Sequence, residues 1–256
     1  MKIVSYNVNG IRSAISKGLI DWVREDAADI YCFQELKASL PDIPSHLFEE
    51  LGYHCYWYPA QKKGYSGVGI ISKQKPDEVI YGCGLEQADA EGRVLQLIYP
   101  KFRLINTYFP SGSSGDERQS YKMEFLNDYL NYLQSSSNLR QSPIILAGDY
   151  NICHQAIDIH DPKGNKDSSG FLPEERAWMD RFFEAGMVDS FRLINQEPHQ
   201  YSWWSFRANA RNNNKGWRID YINVSEPLKG NIKHAEILPH VKHSDHCPVM
   251  LEMMIK

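Results

Sequence analysis

The sequence predicts an α/β fold: two mixed or antiparallel β-sheets packed face to face with helices outside, a four-layer αββα sandwich formed as one domain over residues 1–256. Three observations predict it. Short apolar runs rich in β-branched and aromatic residues recur along the whole chain. Helical patterns separate only some of them, so the strict strand–helix alternation of a doubly wound parallel sheet is missing. No internal repeat, low-complexity tract or Gly/Ser-rich linker divides the chain.

The predicted strands, in order, are Lys2–Val8, Ile30–Gln34, Val68–Ser72, Val94–Tyr99, Arg103–Phe109, Pro143–Ala147, Tyr201–Phe206, Arg218–Val224 and Pro248–Ile255. Three helical stripes lie between them. Leu19, Ile20, Trp22 and Val23 form a short one. Tyr121, Phe125, Leu126, Tyr129, Leu130 and Leu133 form a longer one, opened by Asp116 and Glu117, where acidic side chains favour a helix N-terminus. Pro173, followed by Glu174 and Glu175, starts the third, with Trp178, Met179, Phe182 and Phe183 along one face.

A hydrophobic fraction of 42% and a charged fraction of 23% fit an ordinary globular protein, and no apolar run approaches a membrane span. The N-terminus, MKIVSYNVNG, lacks the basic region and apolar stretch of a signal peptide. The five cysteines, Cys32, Cys55, Cys83, Cys153 and Cys247, are odd in number and without CxxC spacing, which argues against a disulfide framework or zinc site and for a reducing, cytoplasmic setting. The net charge of −4 argues against nucleic acid as a partner unless positive charge is local or some acids are metal ligands facing phosphate.

Both conditions are met. Asn7 and Asn9 follow KIVSY, Glu35 follows IYCFQ, Asp149 and Asn151 follow PIILAG, Asp220 follows GWRI, and Asp245 and His246 precede CPVML, so five strand ends carry carboxylates, amides or an imidazole. Turn chemistry explains any one of them. Together they form the set that a hard divalent cation and a phosphoryl group require: Mg²⁺ takes oxygen ligands, few of them carboxylates, and an Asp-paired His suits acid–base or phosphate duty. There is no phosphate-binding P-loop and no GxSxG elbow. Separately, the stretch Trp203 to Arg218 interleaves Arg207, Arg211, Lys215 and Arg218 with Trp203, Trp204, Phe206 and Trp217 and contains no acid, a pattern that suits phosphates and bases. One of Trp203 and Trp204 is expected in the core, since neighbouring strand positions face opposite ways.

The chain resembles the exonuclease III type of apurinic/apyrimidinic endonuclease, in the endonuclease/exonuclease/phosphatase superfamily that also holds DNase I. The resemblance rests on NVNGIR near the start, FQELK at Phe33–Lys37, GYSGVGI at Gly64–Ile70, NTYFPSG at Asn106–Gly112, LAGDYNICH at Leu146–His154, SGFLPEERAWMD at Ser169–Asp180, YSWWSFRANARNNNKGWRIDYI at Tyr201–Ile222 and SDHCPV at Ser244–Val249. It implies Mg²⁺ or Mn²⁺ as cofactor, with Glu35 as principal ligand, Asn7 orienting the ligands, Asn9 where some members have Asp, and Asp149, Asn151, Asp245 and His246 around the metal. It implies catalytic duty for Tyr108 (a hydroxyl at the phosphate), Asp149 (water activation), Asn151 (the oxyanion), and Asp220 paired with His246. It places Arg12, Lys17, Lys37, Gly64, Tyr65, Trp203, Arg207, Trp217 and Ile219 against DNA, and implies no regulatory extension.

The function expected is hydrolysis of duplex DNA 5′ to an abasic site, leaving a 3′-hydroxyl, by a monomer that also trims blocked 3′ ends. A dedicated 3′-exonuclease or 3′-phosphatase is the alternative within the family. A phosphatase acting on a phospholipid or inositol phosphate, or a catalytically dead nucleic-acid-binding module, fits less well. The loop Asp167-Ser168-Ser169-Gly170 is expected near the sugar pocket, where its short side chains leave room for a flipped abasic residue.

Overall fold

The computed structural model describes residues 1–255. Along the chain the elements are β1 (Lys2–Asn7), α1 (Ile11–Ser16), α2 (Leu19–Asp26), β2 (Ile30–Gln34), α3 (His46–Glu49), β3 (His54–Tyr58), β4 (Val68–Ser72), β5 (Glu78–Tyr81), α4 (Glu86–Ala90), β6 (Val94–Tyr99), β7 (Phe102–Tyr108), α5 (Asp116–Ser136) and β8 (Ile144–Asp149). They continue with α6 (Pro173–Glu184), β9 (Met187–Asp189), α7 (Ser190–Ile194), β10 (Trp203–Trp204), β11 (Gly216–Trp217), β12 (Asp220–Ser225), β13 (Ile232–Ile237) and β14 (Val249–Met253).

Two six-stranded sheets result, ordered β13-β14-β1-β2-β4-β3 and β5-β6-β7-β8-β12-β9. Each is antiparallel except at its centre, where β1 pairs with β2 and β7 with β8 in parallel. Alternation along each central strand sorts the side chains into layers. Ile3, Cys32, Ile70, Leu97, Leu104, Ile145 and Leu251 meet between the sheets. Val4, Tyr6, Tyr31 and Phe33 point the other way, against Leu19 and Val23 of α2. On the opposite outer face Phe125, Leu126 and Tyr129 of α5 and Trp178, Met179 and Phe182 of α6 cover Ile105 and Leu146. The expected αββα sandwich is present. Its central strands are buried on both faces, which is why they read as near-continuous apolar runs.

Two sequence expectations differ from the structure. Tyr201–Phe206 is not a full strand: only Trp203 and Trp204 pair, with Trp217 and Gly216. Beyond them the chain turns into a loop with Ala208 and Asn209 at positive φ and with Phe206 76% exposed. The strands β3, β5, β9 and β13, which the apolar pattern does not mark, are the four sheet edges. An edge strand leaves one side unpaired and much of its surface wet, so polar residues interrupt its apolar pattern, as in the exposed Lys233, His234 and Glu236 of β13.

The expected split of the tryptophan pair holds: Trp204 is buried and Trp203 only half so. Arg218, which the sequence pattern assigns to the basic face, is instead fully buried. It donates to both oxygens of Asp158, at 2.8 and 3.1 Å, and pairs with Asp189 at 2.7 Å. Asp158 also accepts from Arg192 at 2.8 Å. Burial alone would raise the Asp158 carboxyl, but the Arg218 and Arg192 guanidiniums outweigh it and hold its pKa below the usual carboxylate range. Its stabilising contribution is therefore present above the unfolded carboxylate pKa, about 3.9, and is lost as pH falls through the lower folded value. Asp158→Ala leaves Arg218 buried without this partner and is expected to cost about 3–5 kcal/mol in urea unfolding at pH 7, with the gap to wild type closing in strong acid. An unchanged stability at pH 7 contradicts this pairing.

Candidate active site at one rim of the sandwich

Strand pairing gathers the polar residues. Asp149 lies opposite Tyr108 in the parallel β7–β8 pair and opposite Asp220 in the antiparallel β8–β12 pair. A Cβ on Gly148 would lie 1.9 Å from the Thr107 carbonyl oxygen, so the close approach of β7 and β8 that seats Asp149 requires glycine there. On the other sheet Asn7 pairs with Gln34 at the ends of β1 and β2, and Glu35 follows. Asn9, Glu35, Lys37 and Asn151 all have positive φ, a backbone region that non-glycine residues adopt rarely and that clusters at functional sites.

The Asn7 amide donates to Glu35 Oε1 at 2.9 Å and to Asp149 Oδ2 at 2.8 Å, joining the two sheets. Beneath it, Gln34 donates to Ser5 Oγ and to Asn106 Oδ1, and Asn106 donates to the Phe33 and Gly69 carbonyls. Asn9 donates to Asp245 Oδ1 at 2.9 Å, and Asp245 Oδ2 accepts from the Trp203 indole at 3.0 Å. The His246 ring places Nδ1 2.9 Å from Asp220 Oδ2, which also accepts from Ser202 at 2.7 Å. His246 Nε2 lies 3.9 Å from Asp149 Oδ2. Asn151 directs its amide to the Phe109 carbonyl at 3.0 Å.

These contacts set the charges. Burial works to raise the Glu35 carboxyl, but Lys37, the Asn7 amide and His246 together lower its pKa, so it is ionised at neutral pH. Burial and the neighbouring Asp220 charge push Asp149 up, against the attraction of His246. Burial alone would keep His246 neutral, yet Asp220 above all, with Asp149 and Asp245, raises it to about 10. Glu35, Asp149 and His246 offer ligand atoms that all lie within 4.8 Å of one another. The two carboxylates fit a divalent cation held partly by water and substrate, with the protonated His246 ring beside them as a second positive charge.

An open cleft of about 460 Å³ runs from Glu35 and His246 to Trp203, Trp217 and Ile219. The two indoles meet edge to face, with ring centroids 6.0 Å apart. Ser169 and Gly170 line the cleft as well, whereas Asp167 points to solvent, so the short residues that leave room are the second half of that loop.

Every metal and catalytic candidate from the sequence lies in or directly beneath this cleft, as do Tyr65, Trp203, Trp217 and Ile219 of the DNA set. Arg12, Lys17 and Arg207 are exposed side chains outside the cleft lining, and Gly64 is an exposed turn with positive φ. Lys37 turns inward instead, with Nζ 2.7 Å from Glu35 Oε2 and 2.5 Å from Asn9 Oδ1.

Sequence reasoning missed Arg93 and Arg118, which line the cleft and both donate to the Tyr65 hydroxyl, at 3.1 and 2.9 Å. Arg93 also sits 4.8 Å over the Tyr108 ring. It missed the fully buried pair Lys122–Glu175 too. Lys122 donates to the Asn151 carbonyl at 2.8 Å, while Glu175 accepts from the Gly170 amide at 2.6 Å. One ion pair thus fixes the backbone on two sides of the cleft. Lone Arg and Lys residues give no periodic signal; only the acid-free context of a basic run does.

A buried, acid-lined rim with a paired histidine, opening onto an arginine- and tryptophan-lined cleft, is the layout of a phosphoesterase. The chain belongs to the Endonuclease/Exonuclease/phosphatase family, whose model matches residues 4–246. It is 46% identical over 253 residues to an exodeoxyribonuclease of Bacillus subtilis (strain 168), covering 98% of each chain. Among solved structures it superposes on an AP endonuclease from Archaeoglobus fulgidus with a TM-score of 0.91 at 31% identity, and on a 3′-5′ exonuclease from Neisseria meningitidis with a TM-score of 0.92 at 27% identity, each covering 99% of both chains.

Because the His246 pKa lies above its ordinary value, about 6.5, the protonated ring stabilises the fold fully below that pH, and this contribution is lost as pH rises through about 10. In metal-free protein the His246 ring signal is expected to titrate well above neutrality by NMR, and Asp220→Asn to bring it down. A wild-type ring titrating near 6.5 contradicts the pairing.

Proposed function

We propose that the chain is a divalent-metal-dependent DNA repair nuclease that hydrolyses the phosphodiester 5′ to an abasic site, leaving a 3′-hydroxyl, and that trims 3′ ends as a second activity. The observation that carries this reading is one continuous cleft joining the Glu35–Asp149–His246 centre to an apolar pocket walled by Trp203, Trp217 and Ile219. A flipped-out sugar without a base needs such a pocket, and the scissile phosphate needs such a centre within reach. The A. fulgidus AP endonuclease supports the abasic substrate, and the B. subtilis exodeoxyribonuclease supports action on DNA.

Glu35 is the principal ligand for Mg²⁺, or Mn²⁺ in its place, with Asn7, Asn9, Asp149, Asn151, Asp245 and His246 around it. When bound, the cation supplies positive charge at the phosphate and the leaving oxygen. Asp149, whose raised pKa suits proton transfer near neutrality, takes the proton from the attacking water. The Asn151 amide turns to the oxygen that gains charge in the transition state. His246, held protonated by Asp220, offsets the phosphate charge, and Tyr108 donates its hydroxyl to the phosphate. Arg118 meets the backbone phosphates beside Tyr65, with buried Arg93 adding positive charge behind it, and Arg12, Lys17, Gly64 and Arg207 extend that contact outside the cleft. Lys37 holds positive charge beside Glu35 and Asn9, at the edge of the surface that would face the DNA backbone. This places local positive charge on a chain of net charge −4.

Residues 1–256 work as one catalytic domain, since both sheets contribute to the cleft, and the proposed active form is a monomer. Five free cysteines support a reducing, cytoplasmic setting. Among the described residues no helix is long and apolar enough to cross a membrane.

A labelled duplex with one abasic site, incubated with Mg²⁺, with Mn²⁺ and with excess EDTA, tests the reading. Metal-dependent cleavage to a 3′-hydroxyl is expected, and cleavage that persists in EDTA contradicts it. Asp149→Asn removes the proton acceptor while the arginines still hold DNA. Its cleavage rate is expected to fall by well over tenfold, the equivalent of about 1.4 kcal/mol of barrier, with duplex affinity kept. A smaller loss rules Asp149 out as the base.

Action on 3′ ends alone is the second reading, favoured by the likeness to the N. meningitidis exonuclease. The short side chains of Ser169 and Gly170 weigh against it, because they leave the cleft open for a strand that continues past the flipped sugar. Ser169→Trp is expected to suppress internal abasic cleavage while removal of a 3′-phosphate from a frayed end survives. Equal loss of both activities means that this loop does not gate the substrate.

A further inference from the structure

Arg211 belongs by sequence to the basic, aromatic loop that would face DNA, yet its guanidinium points into the protein. Nη1 donates to the Ser244 carbonyl at 2.8 Å and, weakly, to the His246 carbonyl at 3.5 Å. Nη2 donates to the Pro239 carbonyl at 3.2 Å and the Val241 carbonyl at 2.6 Å. The guanidinium lies 4.7 Å over the Trp204 ring, and its Nε is buried without a partner. A guanidinium has five N–H donors. Four are directed at carbonyls and the fifth is out of solvent, so none is left for a phosphate.

The segment that receives these bonds carries Asp245 and His246. Between β13 and β14 it makes no ladder apart from the single bridge of His246 to Trp203. Its carbonyls therefore need donors from elsewhere, and Arg211 supplies them from the loop after β10. The Trp204 amide, donating to the Asp245 carbonyl at 3.2 Å, adds one more from the same direction.

We propose that Arg211 is a positioning residue: it braces the Pro239–His246 segment and so sets Asp245 and His246, and it makes no contact with the DNA backbone. The inference rests on the proposed roles of Asp245 and His246 at the metal and the phosphate. It goes beyond them by coupling the DNA-facing loop to the reacting end of the cleft, so that displacement of that loop displaces both residues.

The test uses the full chain and an abasic duplex, with single-turnover cleavage at saturating enzyme, a rate independent of the fraction of enzyme that is folded. Alongside it, duplex affinity is measured against salt concentration. Arg211→Met and Arg211→Lys are compared with Arg207→Met. Arg211→Met is expected to slow the single-turnover step by about 10²-fold, the effect of a misplacement of about 1 Å, with the salt slope of binding unchanged. Arg207→Met is expected to reduce that slope by about one, as loss of a phosphate contact does. Arg211→Lys keeps the charge and would remain an adequate phosphate ligand, but it cannot reproduce the planar fork. It is expected to remain slow, and it carries the test should Arg211→Met not fold. A wild-type rate in Arg211→Lys, or a salt slope lowered by about one in either Arg211 variant, overturns the inference. An inactive wild type overturns the proposed function and this inference with it.

Discussion

The Asn7 amide, donating to Glu35 on one sheet and to Asp149 on the other, is the interaction on which the site depends. Two buried carboxylates repel, and burial disfavours both charges. An amide with two donors answers both problems at once and ties the sheets beside the candidate metal centre. The floor below repeats the device: Gln34 and Asn106 cross-link the sheets where apolar contacts would otherwise continue. That layer is satisfied at Asn106, while Gln34 Oε1 is buried without a partner. Asn106 makes all three of its cross-links at 2.9 Å or less.

The same constraint decides how the cations are used. A chain with more acids than bases cannot coat itself in positive charge, and several of its arginines are committed to structure. Arg218 neutralises Asp158 and Asp189, while Arg211 holds carbonyls. Arg118 remains at the cleft surface with buried Arg93 behind it, both sharing Glu91 as counter-ion and the Tyr65 hydroxyl as acceptor. Positive charge is thereby concentrated beside the acidic centre.

Much of this was legible in the sequence. The central strands announced themselves because burial on both faces leaves nearly unbroken apolar runs. Their polar ends stood out because Asn7, Glu35, Asp149 and Asp220 interrupt those runs at one rim. The edge strands β3, β5, β9 and β13 were silent because solvent on one side lets polar residues break the pattern. Arginine proved the hardest residue to read. In the loop after β10 the run of cations without acids suggested a wetted face, and only the folded chain separates exposed Arg207 and Lys215 from buried Arg218 and inward-turned Arg211. The partners of Arg218 lie far off in sequence, 60 residues away for Asp158. The partner of Lys122 likewise comes from another helix, so neither pair leaves a local trace.

The central claim is that this rim drives hydrolysis by water at phosphorus, with the 3′ oxygen leaving. Cleavage of an abasic duplex in ¹⁸O-labelled water, followed by mass spectrometry of both fragments, measures it directly. One ¹⁸O atom in the new 5′-phosphate and none in the 3′-hydroxyl is the expected result. A product with an unlabelled phosphate and an unsaturated sugar at the 3′ end would mean strand scission by elimination at the sugar, and would contradict activation of water by Asp149 and its neighbours.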